Sequence, residues 1–130
     1  MLIDTSALLA ILLDEPEASV LLDAIIASPQ RFVSAPTLVE AAAVLFARKG
    51  ATGEMALDAM LQRLTIVTID MNATAAAFAR DAFRRYGKGV GAPGVLNYGD
   101  CLVYGVARAT GHPLLFTGND FSQTDVVVAQ

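Results

Sequence analysis

The chain has 130 residues, which fits a single domain, and a formal net charge of −4 at pH 7. Hydrophobic residues make up 55% of it, but the longest apolar run, residues 41–47, is far too short to span a bilayer. The first residues carry no basic segment and reach an acid at Asp4, which argues against a signal peptide. We therefore expect a cytoplasmic protein that covers apolar surface with a partner or a second copy.

The polar composition excludes several kinds of site. A single cysteine, Cys101, excludes an internal disulfide and a multi-cysteine zinc site. One cysteine and one histidine, His112, also leave little material for nucleophilic catalysis. The negative net charge argues against binding nucleic acid by bulk attraction. A polyanionic substrate would need cations to bridge it to this protein.

The first half of the chain predicts two strands, each followed by helices. The apolar start of the chain and residues 31–34 have the character of short strands. Predicted helices span residues 7–13, 16–27, 36–49 and 53–64. The helix over 36–49 is apolar on every side except at Glu40, which predicts burial on most of its faces.

The second half continues the alternation. Strands are predicted over residues 65–69, 114–117 and 125–128, and helices over residues 70–86 and 97–110, with a glycine-rich loop at 87–94. Asp70 is the predicted N-cap of the first of these helices. The pattern predicts one small, doubly wound α/β domain over residues 1–130. Its mostly parallel five-stranded sheet would have helices on both faces.

This topology brings four carboxylates to one edge of the sheet, the edge formed by the carboxyl ends of the strands. Asp4 and Asp120 directly follow the first and fourth strands. Glu40 lies near the start of the helix that follows the second strand. Asp100 lies in the first turn of a helix whose far end leads into the fourth strand. Ligands of open parallel sheets bind at this edge.

Each acid also has a purely structural explanation. Asp4 fits a helix cap, Glu40 fits a capping box with Thr37, Asp100 fits a helix first turn, and Asp120 fits a turn. Together these explanations do not account for one carboxylate in an apolar helix, or for four like charges without a nearby basic residue. Bound Mg²⁺ or Mn²⁺ would relieve the repulsion and could activate water for phosphodiester hydrolysis.

The motifs around these acids resemble PIN-domain ribonucleases, and in particular the VapC toxins of bacterial toxin–antitoxin pairs. The resemblance covers the whole chain and rests on residues 3–8, Glu40, residues 96–101 and residues 115–121. It implies a Mg²⁺- or Mn²⁺-dependent endoribonuclease with the catalytic and metal-binding quartet Asp4, Glu40, Asp100 and Asp120.

The same resemblance implies partners and supporting residues. Ser6 and Thr117 match small hydroxyl positions that support the quartet, and Asp125 matches a further acid sometimes found near the metal. The family also implies a VapB-type antitoxin and a homodimer.

Arg80, Arg84 and Lys88 recur at helical spacing and are candidate RNA contacts, with Tyr86 or Tyr98 as a stacking face. They could instead be cations that complete the end of a helix.

Three other functions remain open at this stage. A phosphatase that forms an aspartyl phosphate on Asp4 would have a second acid at position 6, where this chain has Ser6. A receiver-like signalling module would have a late lysine, and none follows Lys88. A non-catalytic PIN domain would bind RNA without metal-dependent cleavage.

Overall fold

The computed structural model describes residues 1–129 and contains a parallel four-stranded sheet. Its strands are β1 Leu2–Ile3, β2 Phe32–Ser34, β3 Val67–Ile69 and β4 Leu114–Leu115, in the spatial order β3-β2-β1-β4. Because β1 is flanked by β2 on one side and β4 on the other, the chain changes direction across the sheet at β1. This confirms the α/β prediction and places the expected ligand crevice at the carboxyl end of β1.

Five helices and one short 3₁₀ turn connect the strands. They are α1 Thr5–Leu12, α2 Ala18–Ala27, α3 Ala35–Arg63, α4 Ala73–Tyr86, α5 Tyr98–Thr110 and the turn Phe121–Gln123. The two helices predicted over residues 36–64 are joined in α3, but Gly50 interrupts it with a φ of 64°. Glycine adopts this left-handed conformation without a steric cost, so the break lies where the sequence has its helix stop.

The predicted fifth strand is wrong in extent. In place of a strand over residues 125–128, a single parallel bridge joins Leu114 to Val128. Leu114 donates to the carbonyl of Val127 at 2.8 Å and accepts from Ala129 at 2.9 Å. Because β4 has only two residues, it has too few backbone groups to pair with a four-residue strand. The bridge still covers the outer edge of β4.

Two apolar cores lie on opposite faces of the sheet. Ile3 and Leu115 belong to the core formed with α1, α2 and α3, whereas Leu2 and Leu114 belong to the core formed with α4 and α5. All four side chains are buried. Successive strand residues point to opposite faces, so each two-residue strand contributes to both cores. Helices therefore cover both faces, as predicted.

Two local predictions on the helices are wrong. The N-cap of α4 is Asn72, whose side chain accepts from Ala75 at 3.0 Å, and Asp70 is exposed beyond β3 at the margin of the sheet. The first part of α3 is not buried on most faces, because Val39 is 69% exposed and Phe46 is 55% exposed.

No helix within residues 1–129 is long and apolar enough to cross a membrane. The cytoplasmic location stays a prediction.

Candidate active site

The four predicted acids all lie around the crevice at β1. Asp4 follows β1 directly and is the N-cap of α1, and Glu40 lies early in α3, which begins immediately after β2. Asp100 lies in the first turn of α5, and Asp120 directly precedes the 3₁₀ turn after β4. Asp4 is buried, Asp100 is partly buried, and Glu40 and Asp120 are exposed. The four negative charges influence one another, as the pKa values below show.

Asp4 is held by Ser6 in the first turn of α1. The backbone N–H of Ser6 donates to Asp4 Oδ2 at 3.0 Å, and its hydroxyl donates to the same oxygen at 2.6 Å. Ser6 Oγ in turn accepts the backbone N–H of Thr117 at 3.1 Å. Ser6 thus connects the end of β1 to the loop after β4. Thr117 contributes to this connection through its backbone.

Burial raises the pKa of Asp4, and the negative charge of Glu40 raises it further, whereas the hydrogen bonds from Ser6 oppose the shift. A buried carboxylate near a second carboxylate is stabilised by any cation that approaches both. Both hydrogen bonds from Ser6 go to the same carboxylate oxygen of Asp4, Oδ2.

Asp100 forms a capping box at the start of α5. The backbone N–H of Asn97 donates to Asp100 Oδ2 at 3.1 Å, and the backbone N–H of Asp100 donates to Asn97 Oδ1 at 2.9 Å. Burial raises the pKa of Asp100 to about 6, and the charges of Asp4, Asp120 and Glu40 add to the shift. The hydrogen bond from Asn97 opposes it. The capping explanation of Asp100 is therefore confirmed, and its role in the quartet stays a prediction.

Gly99 makes room for Glu40, a role that the sequence analysis did not assign. A Cβ atom at position 99 would overlap Glu40 Oε2 and approach Asn97 Oδ1 at 3.5 Å. Glycine is unfavourable in a helix by about 1 kcal/mol relative to alanine. A glycine in the first turn of a helix, next to an acid, was the available signal, because close approach is a common reason for such a residue.

Asp120 is positioned by the apolar residue that follows it. Phe121 is only 3% exposed, and its ring packs 5.2 Å from that of Phe116. Ser122 closes the same segment by donating to the carbonyl of Asn119 at 2.7 Å. The exposed Asp120 carboxylate is therefore carried by a loop that is fixed in the core.

The quartet fits a hard divalent cation by its donor chemistry. All four ligands would be carboxylate oxygens, which Mg²⁺ and Mn²⁺ prefer. In the conformation described for residues 1–129, however, no three Asp, Glu, His or Cys side chains form a group that could hold an ion. Asp4 is turned towards Ser6 and Asp100 towards Asn97, and this separates their charges. Ion binding by the quartet stays a prediction, and it would require these carboxylates to move closer together.

Asp125 occupies a different environment from the one implied for it. Its carboxylate accepts from Arg108 at 2.7 Å, from Arg85 at 3.3 Å and from the buried hydroxyl of Tyr104. Burial alone would raise the pKa of Asp125, but the Tyr104 hydrogen bond and the two guanidinium charges lower it overall. None of these partners belongs to the quartet. The structure gives Asp125 the role of fastening the last segment of the chain to α4 and α5.

The predicted basic strip is divided between surface and groove. Arg80 and Arg84 line an open groove between α4 and the start of α5, while Lys88 is exposed in the loop beyond α4. Tyr98 is 75% exposed and lines the same groove. Tyr86 is buried, so it offers no stacking face to a ligand.

Cys101 and His112 have structural environments. Cys101 is buried, and burial raises the pKa of its thiol to about 11, so it carries little thiolate at neutral pH. The ring of His112 stacks on Phe32 with 4.5 Å between centroids.

The raised pKa of Asp100 predicts a pH-dependent change in stability. Between about pH 4 and pH 6 the folded protein binds this proton more tightly than the unfolded chain, so stability falls as the pH rises through that range. In metal-free protein at pH 7.5, we expect Asp100→Asn to raise the free energy of unfolding by about 1–2 kcal/mol. Urea denaturation in EDTA measures it.

The gain should disappear below about pH 3, where Asp100 is protonated in both the folded and the unfolded state. The matched control is Asp23→Asn on the exposed surface of α2, which should change stability by less than about 0.5 kcal/mol. A loss of stability in Asp100→Asn at pH 7.5 would contradict the burial of an unfavourable charge.

Comparison with known proteins agrees with this fold and identifies its family. The family model for the PIN domain matches residues 1–127. The chain is 47% identical over 126 residues to Ribonuclease VapC of Mycolicibacterium smegmatis, covering 97% of both chains. It is 46% identical to Ribonuclease VapC30 of Mycobacterium tuberculosis over 97% of this chain and 95% of that protein.

Solved structures with lower identity share the fold. VapC20 of Mycobacterium tuberculosis, described as a sarcin–ricin loop cleaving toxin, superposes with a TM-score of 0.77 at 18% identity, over 97% of this chain and 95% of that one. A toxin–antitoxin complex from Klebsiella pneumoniae matches with a TM-score of 0.73 at 23% identity, over 98% and 94% of the two chains. Family model and relatives at this level of identity together show that the chain belongs to the PIN-domain family, among the VapC ribonucleases.

Proposed function

We propose that this VapC-type endoribonuclease toxin hydrolyses RNA with Mg²⁺ or Mn²⁺ held by Asp4, Glu40, Asp100 and Asp120. The observation that carries the proposal is the pKa of Asp100, raised to about 6 by burial and by the negative charges of the other three. Repulsion of this kind costs free energy and persists in proteins mainly where it serves function. A divalent cation is the ligand that would relieve it most directly.

In this proposal the four carboxylates hold the cation, and neighbouring hydrogen bonds hold the carboxylates in position. The bound cation would supply Lewis acidity, activating water and neutralising charge that develops on the phosphate. Ser6 fixes Asp4 and ties it to the loop that carries Asp120, while the helix cap fixes Asp100.

The substrate is proposed to be single-stranded or looped RNA. In-line attack on a phosphodiester needs an accessible backbone, and single-stranded segments provide one. The exposed side chains of Arg80, Arg84 and Lys88 are candidate contacts for RNA phosphates.

We further propose that a VapB-like antitoxin covers the apolar surface of α3. The surface consists of Leu38, Val39, Ala42, Ala43 and Phe46, with Glu54 and Asp58 at its border. An apolar strip bordered by acids suits an amphipathic segment with basic residues. Val39 directly precedes Glu40, so a partner on this surface would reach the edge of the site. VapBC2 of Rickettsia felis, solved bound to a promoter DNA fragment, shares the fold of this chain and supports a partner of the VapB kind.

A homodimer is also proposed. Several large apolar side chains are exposed, among them Val20 and Met55, and a second copy could cover some of them.

Metal dependence can be tested on antitoxin-free protein. We expect cleavage of total RNA with Mg²⁺ or Mn²⁺ and none in EDTA, because the carboxylates alone repel the phosphate. Asp100→Asn should lower the cleavage rate by roughly 100-fold or more, as expected for loss of a metal ligand. Asp23→Asn is the control and should cleave normally. Equal cleavage by wild type in EDTA would refute metal dependence, and RNA binding without cleavage would indicate a non-catalytic PIN domain.

The space provided by Gly99 gives a second test. Gly99→Ala should favour the helix but displace the Glu40 carboxylate, so we expect unchanged or higher stability together with a rate lowered by roughly 10- to 100-fold. Thermal unfolding and cleavage kinetics measure the two effects. Normal cleavage by Gly99→Ala would show that the position of Glu40 is not important.

The antitoxin surface is tested by binding. Phe46→Ser should weaken the affinity for the cognate antitoxin by roughly 10-fold or more, because it removes an apolar anchor that is 55% exposed. Val90→Ser, in the exposed loop after α4, is the control for general loss of apolar surface. Calorimetric titration with purified antitoxin measures both. Equal effects of the two substitutions would place the antitoxin elsewhere.

A further inference from the structure

An open groove of about 740 Å³ lies beside the candidate active site, between α4 and the start of α5. This volume is within the range of pockets that hold small organic molecules. Tyr98 and Cys101, which lie two residues before and one residue after Asp100 in the sequence, belong to its lining. Tyr98 and Asp100 lie in the same first turn of α5, which places this end of the groove next to the quartet.

The lining of the groove combines apolar surface with two cations. Tyr98 is 75% exposed and Phe83 is 40% exposed, although both are aromatic. Arg80 has no ion pair within the described part of the chain. Arg84 is 3.7 Å from Asp81, and both side chains are largely exposed, so that pair contributes little. No carboxylate lines the groove itself.

We propose that this groove is a nucleotide subsite that takes the base next to the scissile phosphate. The base stacks on Tyr98 and the apolar wall around Phe83, and the flanking phosphate pairs with Arg80 and Arg84. Aromatic faces with adjacent guanidinium groups are the usual means of holding single-stranded RNA. The subsite rests on the proposed function, because the quartet supplies the position of the scissile phosphate.

The charge of the groove favours RNA over a second copy of the chain. In a symmetric dimer built on this surface, the same patch would meet itself. That interface would gather four arginines, with no carboxylate in the groove lining and only Asp81 of each copy close to Arg84. Like charges brought together in this way are unfavourable, whereas a phosphate satisfies them.

The experiment compares wild type with Tyr98→Ala, Tyr98→Phe and Arg80→Gln on a random-sequence single-stranded RNA pool. Sequencing of the product ends gives the base preference beside the cut. Tyr98→Ala should flatten the preference at one flanking position and raise KM by roughly 5- to 100-fold, with a smaller change in kcat. Tyr98→Phe keeps the stacking face and should restore the base preference that Tyr98→Ala loses.

Binding is measured separately, by fluorescence anisotropy of a labelled single-stranded RNA in EDTA, where no cleavage occurs. Arg80→Gln should weaken binding and lower the slope of affinity against salt concentration by about 1, the value for one phosphate contact. The matched control is Arg63→Gln. Arg63 is also exposed but lies at the end of α3 outside the groove, so this variant should keep the wild-type slope.

The outcomes separate the subsite from the nuclease proposal. If wild type does not cleave RNA but Tyr98→Ala and Arg80→Gln still weaken binding, the subsite stands and the proposed catalysis fails. If wild type cleaves and neither variant changes KM, product ends or binding, the subsite is wrong. Conversion of a dimer to a monomer by Tyr98→Ala, seen by light scattering, would assign the groove to a contact between copies and overturn the proposal.

Discussion

Repulsion between carboxylates is the constraint around which this structure is arranged. Asp4 is buried at the end of the central strand, and the charges of Glu40, Asp100 and Asp120 act on the same crevice. Within residues 1–129, none of the four forms an ion pair with a basic side chain. Hydrogen bonds from Ser6 and Asn97 hold two of them but do not neutralise them. The unfavourable charge is therefore not neutralised within the described part of the chain.

Basic residues are instead gathered farther along the same helices. Arg108, in the last turn of α5, binds Asp125 together with Arg85 from the last turn of α4. Cations at helix C-termini are also favoured by the helix dipole. α5 thus carries Asp100 of the candidate site in its first turn, and in its last turn Arg108, which holds the end of the chain. This separation leaves the quartet without an internal counterion and still fastens the end of the chain.

The positions of the site acids could be predicted from the sequence because they follow from the order of strands and helices. Each parallel strand delivers its following residue to the same edge, so the positions of Asp4 and Asp120 follow from strand assignment alone. The location of Asp100 follows from the short link between α5 and β4. The helix pattern was less informative, because an apolar helix such as the start of α3 can be buried or can await a partner. The exposure of Val39 and Phe46 shows that this face is not buried within the described chain.

Contacts distant in sequence could not be predicted in the same way. Asp125 accepts from residues 17 and 40 positions earlier, and nothing in its local sequence indicates them. The prediction of a fifth strand was wrong because the sequence pattern of residues 125–128 shows apolar residues but does not reveal how short the neighbouring strand β4 is. The position of Asn72 rather than Asp70 as N-cap reflects a choice between two residues with similar capping ability.

The fit of Glu40 over Gly99 links two positions that lie 59 residues apart. An acid with a shorter side chain at position 40 would leave space for a methyl group at position 99, whereas glutamate in its present position leaves space only for glycine. The two positions are therefore expected to change together or not at all. In a related chain, aspartate at the position of Glu40 together with alanine at the position of Gly99 would be such a paired change. The negative charge would then be kept, with a shorter acid opposite a larger neighbour.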